Sequence, residues 1–327
     1  MSNPPVGFLG LGFYVPEKVM TNAELEKLVE TSDEWIRTRT GISERRIAAD
    51  GENTSDLALK AAQAALADAK LEPTDLGLLI VATMTPDMPC PATACILQAK
   101  LGAPQAAATD VAAACSGFLY GMVMAQQFVA TGTYKNVLVV GAEILSRVVD
   151  WTDRGTCVLF GDGAGAAVIG PTTQGQILST VLGSDGTKAD LLKVPAGGAA
   201  QPASAQSVQD RAHFLKMNGT EVFKHAVRGM SEAALAAVKK AGLKPEQIAC
   251  VVPHQANVRI VQAVVERAGI PLEKVYLNVD RYGNMSAAST IVALCEAVKG
   301  GRIKKGDFVL LVVFGAGLTW GAAVIRW

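Results

Sequence analysis

The feature that most constrains the fold of this chain is an internal repeat. Residues 57–82 and 232–254 both read as an alanine-rich segment, a Leu-x-Pro turn and an apolar run, with their prolines 172 residues apart. The apolar runs 135–141 and 306–314 form a second pair, at an offset of 171. Continuous apolar runs are typical of central strands that helices cover on both faces. The sequence therefore predicts an α/β fold of two duplicated halves, each built on a mainly parallel sheet.

The repeat also predicts where the halves divide and where a site forms. We place the first half at residues 1–172 and the second at 173–327. At the offset of 171, Cys115 falls on Ser286, and a helical segment follows each of them. Because equivalent ends of two related half-sheets can face one another, we expect these two strand-to-helix junctions to converge on one site.

Composition and charge exclude several classes of protein. Half of the 327 residues are hydrophobic and 18% are charged, which is typical of a well-buried protein and not of a disordered one. Thirty basic residues balance thirty acidic ones, so we expect neither a nucleic-acid partner nor a membrane partner. The longest strongly apolar run, 308–314, is too short for a membrane span, and the N-terminus lacks the basic region of a signal peptide. We therefore expect a cytoplasmic protein with reduced cysteines.

We predict no metal site and no dinucleotide site. Cys90 and Cys95 have no histidine or second cysteine pair nearby to complete a metal site. The glycine-rich stretch 161–167 lacks the dinucleotide-binding spacing and runs into an apolar strand instead of a helix. A second stretch, 196–207, is rich in Gly, Ala, Ser and Pro, and we expect a mobile surface loop or lid there.

Cys115 stands between a strand-like run and a helical run, in the sequence DVAAACSGF. A helix that begins here would place unpaired backbone N–H groups and a positive dipole end beside the sulfur, which lowers a thiol pKa. Free cysteine is also among the most buried residue types, so an inert core cysteine is the alternative interpretation. The segment alone leaves both open.

Two further polar residues occupy comparable positions. His254 ends an apolar run, where α/β sites usually form, and is either a catalytic group or a capping histidine. Asn284 lies between a glycine and a helical segment, as either a helix N-cap or an amide donor aimed at an oxygen that gains charge. Each residue is ambiguous alone, but their positions at junctions of one repeated fold support a shared site with Cys115.

Seven ordered motifs span essentially the whole chain: TRTGISERRI, DVAAACSGF, DRGTCVLFGDGAGAAV, EVFK, HQANVRI, RYGNMSAAS and FGAGLTWG. Together they closely resemble the β-ketoacyl-acyl carrier protein synthase III family, the condensing enzymes that start type II fatty acid synthesis. The resemblance implies a thiolase-like fold, a layered α-β-α-β-α sandwich of the two halves, and a homodimer. It implies no cofactor, since acyl-CoA and malonyl-acyl carrier protein are substrates.

The resemblance implies a catalytic triad of Cys115, His254 and Asn284. Cys115 would attack an acyl-CoA thioester, expected to be acetyl-CoA, and hold the acyl group covalently. Backbone N–H groups of Cys115 and Ala316 would form the oxyanion hole, although many relatives have glycine in place of Ala316. His254 and Asn284 would donate hydrogen bonds to the thioester oxygen of malonyl-acyl carrier protein, so that loss of CO₂ leaves a stabilised enolate.

A CoA site and an acyl pocket follow from the same resemblance. Trp35 and Arg154 match a pair that sandwiches the adenine, and Arg39 matches a phosphate contact. Phe223 matches a gating aromatic residue above the cysteine. Cys90 lies in the segment that closes the acyl pocket across the family's dimer, where its small side chain leaves room for a longer or branched primer. The remaining CoA-binding positions are Thr31, Gly155, Thr220 and Asn257, of which Asn257 matches a residue lining the pantetheine tunnel.

The resemblance also predicts a surface for the acyl carrier protein. It consists of the segment Gln255, Ala256, Asn257, Val258 and Arg259, with Lys224 and Arg267 added as basic residues for an acidic partner. Three other functions stay open: a condensing enzyme of a secondary-metabolite pathway with another acyl group or acceptor, a non-catalytic partner subunit, and a Cys-His-Asn hydrolase. Primer length and branching are left open as well.

Overall fold

The described part of the chain contains thirteen strands. The structure is a computed structural model that describes residues 5–327. Its strands are β1 (Val6–Tyr14), β2 (Lys18–Thr21), β3 (Glu44–Ile47), β4 (Leu78–Ala82), β5 (Ala107–Val111), β6 (Val137–Ile144), β7 (Asp162–Pro171), β8 (Gln176–Ser184), β9 (Leu192–Lys193), β10 (Lys216–Met217), β11 (Ile248–Pro253), β12 (Phe308–Gly315) and β13 (Thr319–Arg326).

The α-helices range from single turns to long amphipathic elements. They are α1 (Asn22–Leu25), α2 (Asp33–Thr40), α3 (Thr54–Ala69), α4 (Thr93–Leu101), α5 (Gly117–Ala130), α6 (Arg154–Cys157), α7 (Ala205–Gln209), α8 (Gly219–Lys240), α9 (Val258–Arg267), α10 (Val279–Tyr282) and α11 (Ala287–Lys299). Within residues 5–327, no helix combines the length and the apolarity that crossing a membrane requires.

One sheet carries both halves of the repeat, in the order β5-β4-β6-β7-β1-β8-β13-β12-β11. Read outward from the centre, β1-β7-β6-β4 corresponds to β8-β13-β12-β11, so the strand order is duplicated. A single residue pair, Gly7 and Gln176, joins β1 to β8. The predicted division between residues 172 and 173 lies in the connection from β7 to β8.

The sheet is mixed, and the prediction of a mainly parallel sheet is wrong. β4 runs parallel to β5 and β6, and β11 runs parallel to β12, but β7 and β13 run antiparallel to both of their neighbours. Only residues 316–318 separate β12 from β13. Because parallel neighbours need a crossover of about a dozen residues or more, this short turn makes β13 return antiparallel.

Two apolar helices, α5 and α11, form the middle layer between the half-sheets. Their side chains share one core with inward-facing residues of both halves, such as Ile80 and Val252. On the opposite face of β4, Leu79 and Val81 pack beneath α3 and α4, as the two-residue period of a strand requires. α8 and α9 cover the second half-sheet in the same way. This order of layers confirms the predicted α-β-α-β-α sandwich, in which each buried Leu, Ile or Val contributes about 1.5–3 kcal/mol.

The backbone refines the register of the repeat by one residue. Ala114 and Ser286, 172 residues apart, both have left-handed φ angles, of 46° and 45°. The offset falls to 171 only afterwards, at β6 and β12, which begin at Val137 and Phe308. The structure therefore pairs Ser286 with Ala114, and its predicted pairing with Cys115 is wrong by one position.

The stretch 196–207, predicted as a mobile loop or lid, is held by backbone hydrogen bonds. Ala196 N–H donates to Ala212 O at 2.9 Å, and Gly197 N–H donates to Gln201 O at 2.9 Å. The stretch ends in the short helix α7, whose N-cap is Ser204. Backbone hydrogen bonds therefore fix this stretch, which its amino-acid composition alone did not indicate.

Candidate active site

A cavity of about 150 Å³ lies between the two halves, at the ends of the central strands. Cys115, His254 and Asn284 all line it, so the structure brings together the three residues of the predicted triad. The rest of the wall is largely apolar and comes from the 159–160 segment, the 192–230 region, the start of α9 and the end of β12. These wall residues include Leu159, Phe160, Leu192, Met217, Val222, Phe223, Ala226, Met230, Ala256, Asn257, Ile260, Phe314 and Gly315.

Cys115 lies in a single 3-10 turn, Ala114–Ser116, between β5 and α5. Its side chain is buried, and burial raises the pKa of the Cys115 thiol to about 12, with the nearby Ser286 hydroxyl opposing this only in part. Desolvation is the largest influence on this pKa, and it opposes the lowering expected from the helix N-terminus. The resting nucleophile is therefore a protonated thiol that needs a proton acceptor.

His254 directly follows β11 and its backbone N–H donates to Val312 O at 2.8 Å, which extends the pairing of β11 with β12. Burial lowers the pKa of the imidazole to about 4. The ring is therefore neutral at neutral pH, with one nitrogen that donates and one that accepts. Within residues 5–327 its buried Nδ1 has no hydrogen-bond partner. The lowered pKa makes the ring a weak base, so its suited role is to donate a hydrogen bond to a ligand oxygen in the cavity.

The Asn284 amide has a defined orientation. Its Oδ1 accepts a hydrogen bond from Ser286 N–H at 2.8 Å, so the Nδ2 group is the end left to donate to a ligand. The Asn284 backbone is fixed on both sides, since its N–H donates to Leu159 O at 2.8 Å and its carbonyl accepts from Gly161 N–H at 3.0 Å. The residue is thus an amide donor at the cavity wall and not the N-cap of α11, which is Ser286.

The predicted oxyanion hole has its two N–H groups on adjacent chain segments. Neither Cys115 N–H nor Ala316 N–H donates a hydrogen bond within the described chain. Gly315 lies directly against the nucleophile turn, since a Cβ at this position would be 2.8 Å from Cys115 N. Only glycine permits that approach. The two donors can therefore share one acceptor region, although Ala316 lines no part of the cavity itself.

At the predicted adenine site, the Arg154 guanidinium stacks directly on the Trp35 ring and leaves no gap for an adenine. The Arg154 guanidinium carbon lies 5.1 Å from the centroid of the Trp35 ring, and that of Arg39 lies 6.0 Å from it. An adenine ring between these two groups makes one van der Waals contact with each of them, which requires a separation of about 7 Å between the guanidinium and the Trp35 ring. Arg154, which is exposed and donates to Glu30 O at 3.0 Å, therefore has to move before an adenine fits between it and Trp35.

The other predicted CoA positions have different environments. Asn257 lines the cavity and its Nδ2 donates to Arg39 O at 3.1 Å, which links the cavity to α2. Thr31 is half-buried just before α2, and Thr220 is exposed on the first turn of α8. The N–H of Gly155 donates to Asp153 Oδ1 at 2.9 Å as part of the α6 cap, so it is already occupied.

The predicted carrier-protein segment divides into a buried and an exposed part. Gln255 is buried. Its Nε2 group donates to the carbonyls of Pro253 and Tyr276, and its Oε1 accepts a hydrogen bond from Asn278 N–H. Its prediction as a partner contact is therefore wrong, since all of its polar atoms serve the backbone. Arg259 is exposed on α9.

The remaining residues of that surface have different environments. Ala256 lines the cavity, and Val258 packs against Gly41 at the end of α2. Lys224 and Arg267 are exposed but form ion pairs with Glu221 at 2.7 Å and Glu232 at 3.8 Å. Exposed pairs of this kind contribute little, so both cations remain open to exchange partners.

Phe223 and Cys90 differ in their relation to the cavity. Phe223 lines it on α8, as expected for a residue above the nucleophile. Cys90 is exposed and lies outside the cavity of its own chain. Its predicted place in an acyl pocket across a dimer stays a prediction.

Sequence reasoning missed one ionisable group next to the nucleophile. Glu143, the seventh residue of β6, is fully buried, and burial raises its pKa to about 7. It is close enough to Cys115 to raise the thiol pKa further. A carboxylate at the end of the otherwise apolar run VLVVGAE was the available signal, since buried carboxylates are rare outside functional or paired sites.

Comparison with known proteins gives consistent matches. Residues 109–186 match the family 3-oxoacyl-(acyl-carrier-protein (ACP)) synthase III, and residues 238–327 match the family of its C-terminal part. The chain is 57% identical over 325 residues to a beta-ketoacyl-(acyl-carrier-protein) synthase III of Clostridioides difficile (strain 630), with 99% of each covered. It is 56% identical over 322 residues to that of Caldanaerobacter subterraneus subsp. tengcongensis, with 98% of this chain and 97% of the relative covered. The crystal structure of 3-oxoacyl-(acyl-carrier-protein) synthase III from Aquifex aeolicus VF5 superposes with a TM-score of 0.91 at 48% identity, covering 98% of this chain and 100% of that one.

Proposed function

Because this chain belongs to the β-ketoacyl-acyl carrier protein synthase III family, we propose that it condenses an acyl-CoA primer with malonyl-acyl carrier protein to start fatty acid synthesis. The products are 3-oxoacyl-acyl carrier protein, CoA and CO₂. The observation that carries the proposal is the convergence of Cys115, His254 and Asn284 on one buried, largely apolar cavity. Acetyl-CoA is the proposed primer, and the cytoplasm is the proposed location.

The first half-reaction transfers the acyl group to Cys115. Sγ attacks the thioester carbonyl, the new S–C bond forms, and the carbon–sulfur bond to CoA breaks. The proton of the Cys115 thiol is transferred to the CoA sulfur, which leaves as a thiol. The Cys115 and Ala316 N–H groups would stabilise the oxygen that becomes negatively charged in between.

The second half-reaction uses the same cavity with malonyl-acyl carrier protein. His254 and the Asn284 Nδ2 group donate hydrogen bonds to its thioester oxygen, so that the electron pair released with CO₂ is held as an enolate. The enolate carbon attacks the acyl carbonyl on Cys115 and forms the new C–C bond. Sγ leaves as a thiolate and takes up one proton, which restores the resting thiol. The apolar wall favours this step because it keeps bulk water from protonating the enolate.

The proposed partners are the acyl carrier protein and a second copy of the chain. Arg259 and Lys224 are exposed and directly adjoin the cavity-lining residues Ile260 and Phe223, so they suit an acidic partner. Within residues 5–327, β5 forms one edge of the sheet and pairs only with β4, and proteins cover or block such edges. Pairing of two β5 strands, with Cys90 near the shared surface, is the proposed dimer contact.

Intact-protein mass spectrometry after incubation with a panel of acyl-CoA esters tests the proposal. We expect one acyl adduct on Cys115, absent in Cys115→Ser, with the preferred acyl chain read from competition among the esters. The absence of an adduct with every ester would overturn the proposal. Release of free acid without C–C bond formation would favour the hydrolase instead.

The relatives reported above favour the fatty acid enzyme over the secondary-metabolite alternative, because both carry the name of the initiating synthase at 56% and 57% identity. The intact Cys115, His254 and Asn284 disfavour a non-catalytic subunit.

A further inference from the structure

Arg45 is a charged side chain buried without an ionic partner. It has 0% exposure, and within residues 5–327 no carboxylate forms an ion pair with it. Removing a charge from water without such a partner costs several kcal/mol, so the surrounding groups must provide hydrogen bonds. Burial lowers the pKa of Arg45 to about 10, which still leaves it charged at neutral pH.

The guanidinium donates to three oxygens on two chain segments. Nη2 donates to Val158 O at 2.8 Å, and Nη1 donates to Asn22 Oδ1 at 2.9 Å and to Met20 O at 3.2 Å. Asn22 in turn donates to Asp33 Oδ1 at 2.8 Å on α2, the helix that carries Trp35. One buried cation thus ties the segment at Val158 to the elements of the predicted CoA site.

The segment that begins at Val158 is the support of Asn284. Asn284 N–H donates to Leu159 O at 2.8 Å, and its carbonyl accepts from Gly161 N–H at 3.0 Å. Gly283 has a φ of 62°, and a Cβ there would be 2.9 Å from Leu159 O and 3.3 Å from the Arg45 Cβ. The aliphatic part of the Arg45 side chain therefore packs against Gly283, and its guanidinium donates to the carbonyl of Val158.

We propose that Arg45 is a positioning residue for Asn284 and fixes the direction in which the Asn284 amide donates into the cavity. This inference rests on the proposed function, in which that amide stabilises the enolate. Acylation of Cys115 does not use Asn284, so the two half-reactions depend differently on Arg45. Loss of fold stability alone would affect both half-reactions in proportion to the folded fraction.

The test compares Arg45→Lys and Arg45→Met with Arg46→Met. Lysine keeps the charge but not the planar fork that reaches several oxygens at once, and methionine removes the donors. Arg46 is the neighbouring arginine on β3, half-buried and bonded to Pro16 O at 3.3 Å, and serves as the matched control. Two rates are measured on the full chain: acylation of Cys115 by acetyl-CoA, and CO₂ release from malonyl-acyl carrier protein.

We expect Arg45→Lys to acylate within about threefold of the unmodified chain, while CO₂ release falls at least about tenfold through kcat with little change in KM. Arg46→Met should leave both rates unchanged. Equal losses in both rates, or no loss in either, would overturn the inference. Unfolding of both Arg45 variants would assign this residue to stability alone and overturn it too. Failure of the unmodified chain to acylate or to release CO₂ would instead refute the proposed function.

Discussion

Glu143 provides a quantitative test of the electrostatics around the nucleophile. Its Oε2 accepts hydrogen bonds from Thr85 Oγ1 at 2.7 Å and from Met84 N–H at 3.1 Å, but burial dominates and raises its pKa from 4.5 to about 7. Because the folded pKa is raised, the contribution to stability is fully present below about pH 4.5 and is lost as the pH rises to about 7. At 1.36 kcal/mol per pKa unit, the loss amounts to about 3 kcal/mol.

We predict that Glu143→Gln removes this loss, since glutamine does not ionise. The free energy of unfolding is measured by urea denaturation at about pH 5 and about pH 8, at one protein concentration, for both proteins. The free energy of unfolding of the variant minus that of the unmodified chain should increase by about 2–3 kcal/mol from the lower pH to the higher one. Any constant effect of replacing an oxygen by an NH₂ group cancels in this comparison. An identical pH dependence in both proteins would refute the reasoning, because Glu143 would then ionise in the folded state as it does in the unfolded one.

Three further predictions concern the nucleophile turn, the CoA site and the 205–217 region. Gly315→Ala should slow acylation about 100-fold, because its Cβ would lie 2.8 Å from the backbone nitrogen of Cys115. The control is Gly186→Ala, since the space around a Cβ at that position is open. Single-turnover mass spectrometry measures the acylation rate of both variants. Trp35→Ala should raise the KM for acyl-CoA about tenfold with little change in kcat, as expected for a lost stacking surface, and an unchanged KM would contradict the adenine assignment. Arg211, bonded through two nitrogens to the buried Asp150, holds the pKa of that carboxyl well below its usual range. Arg211→Ala should therefore lower the free energy of unfolding near neutral pH by about 1–3 kcal/mol. This difference should begin to shrink below about pH 4 and be lost only as the pH falls through the lowered pKa of Asp150; a difference that stays constant with pH would contradict it.

The repeat and the motifs predicted the layers and the site with few errors. Apolar runs of matching length predicted β6 and β12, and the largely apolar segments after Cys115 and Ser286 form the two central helices. Their high apolar content is consistent with burial in the middle layer. The direction of β13 did not follow, because it depends on the length of the turn before it and not on hydrophobicity.

The errors at the site have a common physical cause. The motif at Cys115 indicated a helix N-terminus, but the pKa of its thiol depends on burial by residues distant in sequence. Gln255 stands in a segment predicted to contact a partner, and only the tertiary structure shows that its side-chain amide forms hydrogen bonds with the Tyr276 and Asn278 backbone. Local sequence motifs predict which residues come together at the site. The desolvation of each residue and its hydrogen-bond partners depend on the tertiary structure.

A single-turnover chase measures the central claim most directly. Acyl-Cys115 is formed with acetyl-CoA, separated from free CoA, and mixed with malonyl-acyl carrier protein, and the masses of both proteins are followed with time. We predict that the acyl mass leaves Cys115 as 3-oxoacyl-acyl carrier protein appears with an equal amount of CO₂, and that the adduct persists in Asn284→Ala. Loss of the adduct as free acetate, or its equally fast transfer in Asn284→Ala, would contradict the account.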